Sequence, residues 1–409
     1  MEKEFIRVKI IDIGKEGMSE MVSPLKDKIA IMGVGYTKFG ENWEWSQEDM
    51  LVDAAYEAFN DAGIEPKDID AIWVGVQYWF TGLSGAAATE HLKIFGKPAT
   101  RVENFCASGM DAFRNACYAV YSGDIDIALA CGVEKLMDSG SRGLPGFNQM
   151  GHPVYGNVSA PGMFALVATR AFHNWEWTKE DLARVAVKNH YNGAVHPKAH
   201  FRREVKIEDV LNAPMIAEPL GRLDCCAMSD GAAALVITRP EIAKQFKHKD
   251  DFVVLKGNGM AVESVYPYYK PSFDFTELTA TRKAAEAAYK AAGVTDPVKE
   301  ISFAEVHDCF TITELMNMQD LGLCKKGEAA QLVKDGFTAI DGEFPINPSG
   351  GLKCFGHPIG ATGCRMLVEV TKQLQGRADG RQVEDPVMGM AHNLGGPYTV
   401  CTVTILGMP

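Results

Sequence analysis

The chain has 409 residues, 46% of them hydrophobic, and a formal net charge of -12; it can fill two or three compact units, which excludes bulk disorder. The acidic balance excludes a nucleic-acid surface, which needs dominant basic charge. Ten cysteines without a CxxC pair point to reduced thiols, and the charged start "MEKEFIRVKI", with no later run near about 18 apolar residues, points to a soluble, cytoplasmic protein.

The first 25 residues match nothing later in the chain and read as an extension. "KIAIMGVG", 28–35, reads as a strand. Residues 53–74, "DAAYEAFNDAGIEPKDIDAIWV", place alanines and aromatics at helical spacing, break at Gly63 and Pro66, and close on a β-like run. In "RVENFCASGMDAFRNACYAVYSG" Cys106 precedes apolar positions 110, 113, 116, 117, 120 and 121 at helical spacing, so its thiol lies at a strand-to-helix junction. Exposed N–H groups and the positive end of a helix dipole there favour thiolate, the nucleophilic form. A lone cysteine is more often a small core residue, and Cys117 and Cys131 keep that reading.

Residues 135–224 interrupt the rhythm with glycines, prolines and aromatics, followed by the helical "KEDLARVAVKNHYNGA"; an insertion of this length commonly covers a binding site. Within it "HPKAHFRREVK", 196–206, gathers Lys198, Arg202, Arg203 and Lys206. These form either a solvated helix face or a contact for the phosphates of a nucleotide ligand.

The second half repeats the first. After the strand-like "FVVLKGNG", Ala288-Tyr289 and Ala292-Gly293-Val294 match Ala58-Phe59 and Ala62-Gly63-Ile64 at one displacement, and Ala361-Thr362-Gly363 resembles Ala107-Ser108-Gly109. A duplication in which strands alternate with helices predicts two layered α/β halves. "AEVHDCFTITEL", 304–315, sets His307, Asp308 and Cys309 side by side where an apolar run meets a helical pattern. Without paired ligand spacing the metal and redox readings are weak, and catalysis or core packing stay open. In the glycine-rich "NPSGGLKCFGHPIGATG", 347–363, tight turns would hold His357; a histidine there can take a thiol proton and then stabilise an oxyanion. A glycine turn with an incidental histidine is the other reading. "AHNLGGPYTV", 391–400, ends a strand on Gly395 and Gly396, whose N–H groups could also serve an oxyanion.

Taken jointly, Cys106 in "CASG", "HDCF" at 307–310, "GGLKCFGHPIGATG" at 350–363 and "HNLGG" at 392–396 resemble the ordered motif set of thiolases. The branch they resemble joins the sterol-carrier-protein-type and archaeal acetoacetyl-CoA thiolases, where the usual Asn-Glu-Ala-Phe block is replaced and a histidine, here His392, stands where others carry a late cysteine. The resemblance implies an α/β thiolase fold, two duplicated halves in a five-layered αβαβα core plus a loop domain. Its expected division is 1–25 as extension, 26–134 with 225–248 as the N-terminal half, 135–224 as the loop region over CoA, and 249–409 as the C-terminal half.

It also implies Claisen chemistry on CoA thioesters through acyl-Cys106. His357 would be the base, His307 and the backbone near Gly395 oxyanion donors, and Cys309 the second acid/base. Lys198, Arg202, Arg203 and Cys226 would contact CoA, which is a substrate, so no cofactor or metal is expected. A homodimer or larger assembly and a small zinc-ribbon and OB-fold partner are further expectations. Substrates would be acetoacetyl-CoA or a bulky aromatic 3-oxoacyl-CoA such as benzoylsuccinyl-CoA, the latter suggested by Trp79, Phe80, Phe147, Tyr155 and Phe164. A thiolase-fold aldolase and a non-catalytic scaffold are the competing classes.

Overall fold

The computed structural model describes residues 23–78, 82–139, 159–265, 267 and 270–409. Strands β1 (Ala30–Tyr36), β2 (Ala71–Gly75), β3 (Ala99–Val102), β4 (Ile127–Glu134) and β5 (Gly231–Thr238) form the first half of the sheet. The second half holds β6 (Val253–Val262), β7 (Phe303–Val306), β8 (Met388–Gly395) and β9 (Val400–Gly407). The hydrogen-bonded order is β3-β2-β4-β5-β1-β6-β9-β8-β7.

The two halves share one wiring. In the first, β2 runs parallel to β3 and β4, then β4, β5 and β1 alternate direction. In the second, β7 runs parallel to β8, then β8, β9 and β6 alternate, and a parallel bridge from Ala304 to Ile346 stands where β3 stands in the first. The halves meet edge to edge where Ala30 pairs with Val254 and Ile31 with Val253, extended by backbone hydrogen bonds from Asp27 N to the Leu255 carbonyl and from Leu255 N to the Ile29 carbonyl.

The helices that position the site and the layers are α1 (Gln47–Ala62), α2 (Gly85–Leu92), α3 (Ser108–Ser122), α4 (Ala160–Trp175), α5 (Lys179–Ala194), α6 (Thr279–Ala292), α7 (Thr311–Asp320), α8 (Gly351–Phe355) and α9 (Ile359–Leu374). Helix α1 starts on a Ser46–Asp49 capping box, and both α1 and α6 end on a left-handed glycine, Gly63 and Gly293. The alanine rows that identified the repeat have a packing reason: a side chain on Gly33 or Gly35 of β1 would strike the carbonyls of Ala58 or Ala54, and one on Gly257 or Gly259 of β6 those of Ala288 or Ala284. Small residues on both partners let helix and strand backbones touch. Helices α1 and α6 thus cover the outer faces, and α3 and α9 fill the middle, α9 packing on β4 and β5 from one half and β8 from the other. That is the five-layered order.

The region 135–224 contributes α4, α5 and a two-stranded ribbon, Met215–Ala217 with Leu220–Gly221. The helical pattern read at 179–194 is α5, started by a Thr178–Asp181 capping box. The basic strip is not a helix face: residues 199–206 run without regular structure, because the N–H groups of His200 and Phe201 are spent on the carbonyls of Phe355 and Cys354 at the end of α8. Of the proposed extension, residues 1–22 lie outside the described residues, as do Trp79, Phe80, Phe147 and Tyr155. Among the described residues no helix is long and apolar enough to cross a membrane.

The helix-on-glycine contacts predict an asymmetric response to substitution. Gly259→Val, which strikes the Ala284 carbonyl, should cost at least about 2 kcal/mol and show as a lowered apparent Tm. Gly40→Ala, with no neighbour nearer than Asn42 Oδ1 at 4.0 Å, should shift it little.

Candidate functional site

Cys106 stands on a tight turn between β3 and α3. Phe105 before it has φ 51, a left-handed conformation that a bulky residue adopts only when held. The holding group is Ser108: its Oγ accepts from Asn104 N at 2.9 Å and donates to the Phe105 carbonyl at 2.5 Å. The sulfur packs with Leu136, Ile359, Tyr78 and Met228 and is 8% exposed. Burial pushes the thiol up to about 12, although the Gly396 N–H that reaches it pulls the other way. The helix end therefore does not make a resting thiolate, because desolvation outweighs the dipole.

His357 is fixed by a relay. Its Nδ1 lies 2.7 Å from Thr362 Oγ1, which donates to the Pro358 carbonyl at 3.0 Å, so the hydroxyl accepts the Nδ1 proton and Nε2 keeps its lone pair. That Nε2 is buried and has no hydrogen-bond partner among the described residues. Burial, with help from Arg365, pushes the imidazole down to about 3. The ring is thus a neutral base. Its loop is anchored by Asp308, which stands between His307 and Cys309 with no chemistry read from sequence: the carboxylate accepts from Leu352 N at 2.6 Å, Lys353 N at 3.2 Å and Asn189 Nδ2 at 2.7 Å. Gly351, at φ 60, lies against that carboxylate where a Cβ would not fit.

His307 follows β7. Asn393 Nδ2 donates to its Nδ1 at 3.1 Å, leaving Nε2 to carry the proton and act as donor. Its ring stands edge-on to His357, centroids 5.2 Å apart, and burial holds it well below the ordinary imidazole value. His392 supports it from behind: its Nδ1 accepts the His307 N–H at 3.3 Å and its Nε2 lies 3.1 Å from Thr281 Oγ1, which donates to Asn317 at 3.0 Å. Asn317 then donates to the His307 carbonyl at 3.0 Å. The sulfur of Cys106 and one nitrogen each from His307 and His357 lie within 4.8 Å of one another.

Cys309 is buried, its Sγ 3.8 Å from Thr313 Oγ1 and its carbonyl accepting from Cys226 N at 2.8 Å. Burial raises the thiol well above its usual value, with Cys226 and Cys106 near enough to add to the effect. Gly395 packs its backbone on Asn104 and Ala107, and the N–H that meets the Cys106 sulfur belongs to the next residue, Gly396. Glu134, at the end of β4, accepts from Gln77, Tyr78 and Gly360 N–H groups at 3.0, 3.2 and 3.0 Å and ties both halves together beside the cysteine.

A cavity of about 620 Å³ opens beside these groups, lined in part by Met228, Phe310, Cys225, Cys226, Phe201 and Arg222. A neighbouring one of about 440 Å³ shares Cys225, Cys226, Phe201 and Arg222 and adds Arg203 and Lys353. The expected CoA contacts therefore separate. Cys226 and Arg203 line the cleft, Arg202 is exposed between Phe201 and Arg203, and Lys198 is turned away onto Glu57 and the Tyr36 carbonyl. Phe164 does not line it, but stacks behind Phe310 at 4.8 Å. Sequence reasoning missed Asn393, Thr362, Lys353 and Arg222. The first three lie inside the quoted motifs, whereas Arg222 carries no local signal.

The thiolase N-terminal domain model matches residues 29–241, and the thiolase C-terminal domain-like model matches residues 265–408. The chain belongs to the thiolase family. It is an enzyme of the acyltransferase class. Proteins named acetyl-CoA acetyltransferase from Methanothermobacter thermautotrophicus and Methanocaldococcus jannaschii are 40% and 41% identical, over 92% and 91% of this chain and 98% and 97% of theirs. The benzoylsuccinyl-CoA thiolase subunit BbsB of Thauera aromatica is 33% identical over 91% of this chain and 96% of its own. Among solved structures, one named Ltp2-ChsH2(DUF35) aldolase superposes with a TM-score of 0.81 at 26% identity, covering 94% of this chain and 99% of that one.

The neutral resting pair has a pH signature. With its thiol raised to about 12, the thiolate fraction of Cys106 grows roughly tenfold per pH unit, so its iodoacetamide alkylation, read by peptide mass spectrometry, should climb steadily from pH 6 to 9. A plateau reached by pH 7 would show a resting thiolate instead.

Proposed function

We propose that this enzyme cleaves a 3-oxoacyl-CoA with free CoA, or runs the reverse Claisen condensation, through an acyl-Cys106 intermediate. The observation that carries the reading is the convergence of Cys106, His307 and His357 within 4.8 Å, with Nε2 of His357 buried and unspent. Nε2 takes the Cys106 proton as the sulfur attacks the 3-oxo carbon, which keeps both groups neutral until the bond forms. The developing oxyanion meets His307 Nε2–H and the newly protonated His357. The carbon–carbon bond breaks, and the acyl-CoA carbanion takes the proton of Cys309. Free CoA, deprotonated by Cys309, then attacks acyl-Cys106, with the second oxyanion held by N–H groups of Cys106 and the Gly395–Gly396 turn. No step calls for a metal or redox cofactor.

The relatives named acetyl-CoA acetyltransferase support a short acyl substrate, and the one named benzoylsuccinyl-CoA thiolase subunit supports a bulky one. In this proposal Cys226, on the cleft wall, contacts pantetheine and the exposed Arg202 meets the CoA phosphates. Pairing of two copies and a small zinc-ribbon and OB-fold partner belong to the same proposal; the solved relative whose name couples Ltp2 with ChsH2(DUF35) supports the partner. That relative is named an aldolase, but the assembled Cys106–His357 pair favours acyl transfer over a retro-aldol step that needs no nucleophile. Such a protein would act in the cytoplasm.

Incubation with acetoacetyl-CoA should place an acetyl group on the Cys106 peptide. His357→Gln should slow CoA-dependent cleavage by about 10² to 10⁴-fold, and Cys106→Ala should abolish it. Cleavage that persists in Cys106→Ala, or the absence of any adduct, would overturn the mechanism.

A further inference from the structure

Lys353 sits in the catalytic loop, four residues before His357, and is 1% exposed. A buried ammonium ordinarily has a carboxylate beside it. Among the described residues this one has none within ion-pair distance. Its Nζ has one neutral acceptor, His190 Nε2 at 3.1 Å, a lone pair left free because His190 Nδ1 donates to the Arg203 carbonyl at 3.0 Å. Asp308, the acid that bears on it electrostatically, is occupied by the Leu352 and Lys353 N–H groups and Asn189. Two of the three donors on Nζ are therefore unspent.

Lys353 is a wall residue of the 440 Å³ cavity, whose other lining residues are Phe201, Arg203, Arg222, Leu223, Cys225, Cys226 and Ala227. Three cations and no acid line it, in a chain of net charge -12. Arg203 and Arg222 are exposed, with no carboxylate within ion-pair distance among the described residues. The cavity shares five wall residues, Phe201, Arg222, Cys225, Cys226 and Ala227, with the cleft that reaches Met228, against Cys106, and Phe310, next to Cys309. Cys226, on the shared wall, is bonded through its N–H to the Cys309 carbonyl.

We infer that Lys353, with Arg203 and Arg222, forms an anion subsite that takes a carboxylate on the acyl portion of the substrate, so that the enzyme prefers carboxylated 3-oxoacyl thioesters over neutral ones. The inference rests on the thiolase reading and adds the substrate class to it. Position decides between the acyl group and CoA as the source of the anion. The long pantetheine arm carries the CoA phosphates far from the thioester, whereas Lys353 is buried in the loop that presents His357. An entering carboxylate supplies the counter-charge that the fold omits, and the guanidiniums can grip it bidentately.

The test compares 3-oxoadipyl-CoA with 3-oxohexanoyl-CoA, which differ by the terminal carboxylate. The wild type should favour the carboxylated ester at least tenfold in kcat/KM, and Lys353→Met and Arg222→Gln should each lower that ratio. A wild type that favours the neutral ester, or variants that leave the ratio unchanged, would overturn the subsite. Calorimetric binding of glutarate, lost in Lys353→Met and Arg222→Gln and indifferent to adenosine 3′,5′-bisphosphate, reads the subsite without turnover. Competition by the bisphosphate would assign the cations to CoA and overturn the inference. Should glutarate bind while neither ester is cleaved, the subsite stands and the thiolase reading falls.

Discussion

The site depends on a contact made almost without side chains. The first turns of α3 and α9 press against each other and against the strand ends through Gly75, Gly109, Gly132, Gly360 and Gly363, where a Cβ on Gly109 or Gly132 would strike the Gly360 carbonyl. Only backbones that touch can bring the turn before α3 and the loop before α9 so close, since any side chain between them would hold the helices apart. Cys106 and His357 belong to different halves and meet because of that approach. Glu134, accepting from the Gln77, Tyr78 and Gly360 N–H groups at once, fastens it with three hydrogen bonds.

Close approach and burial together set the electrostatics. A dry site raises the thiols of Cys106 and Cys309 and lowers His307 and His357, so the fold favours neutral partners. The polar groups that surround the site hold tautomers rather than charges. Thr362 fixes which nitrogen of His357 is bare, Asn393 which nitrogen of His307 is protonated, and the His392–Thr281–Asn317 chain fixes the backbone that carries His307. His392 therefore does not replace a late cysteine in chemistry; it is spent as a positioning residue.

The repeat was legible because it is written in small residues whose size is required: the alanines of α1 and α6 face glycines of β1 and β6. Cys106, His307, Cys309 and His357 stand out in the sequence because reactive side chains fall where strands end and helices begin, and the fold brings the first, second and fourth of them together. What failed was local inference about environment. A helix start predicted thiolate, but burial is a property of the whole fold and reversed the sign. A run of lysine and arginine predicted a helix face, but its amides were claimed by the carbonyls of α8. Lys353 went unread because a lysine in sequence is assumed to be solvated, and only packing shows that this one is not.

Duplication also explains how two dissimilar catalytic turns came to be held alike. Gly109 lies against the Cys364 N–H position and Gly363 against that of Met110, a reciprocal contact that makes Ser108 and Thr362 equivalent residues of the two halves. Both hydroxyls reach back to the segment before their own helix: Ser108 to the Asn104 N–H and Phe105 carbonyl, Thr362 to the His357 ring and Pro358 carbonyl. One inherited hydroxyl position thus shapes the Cys106 turn in the first half and selects the His357 tautomer in the second. The division of labour between the halves needed different residues in front of each helix, not a different way of holding them.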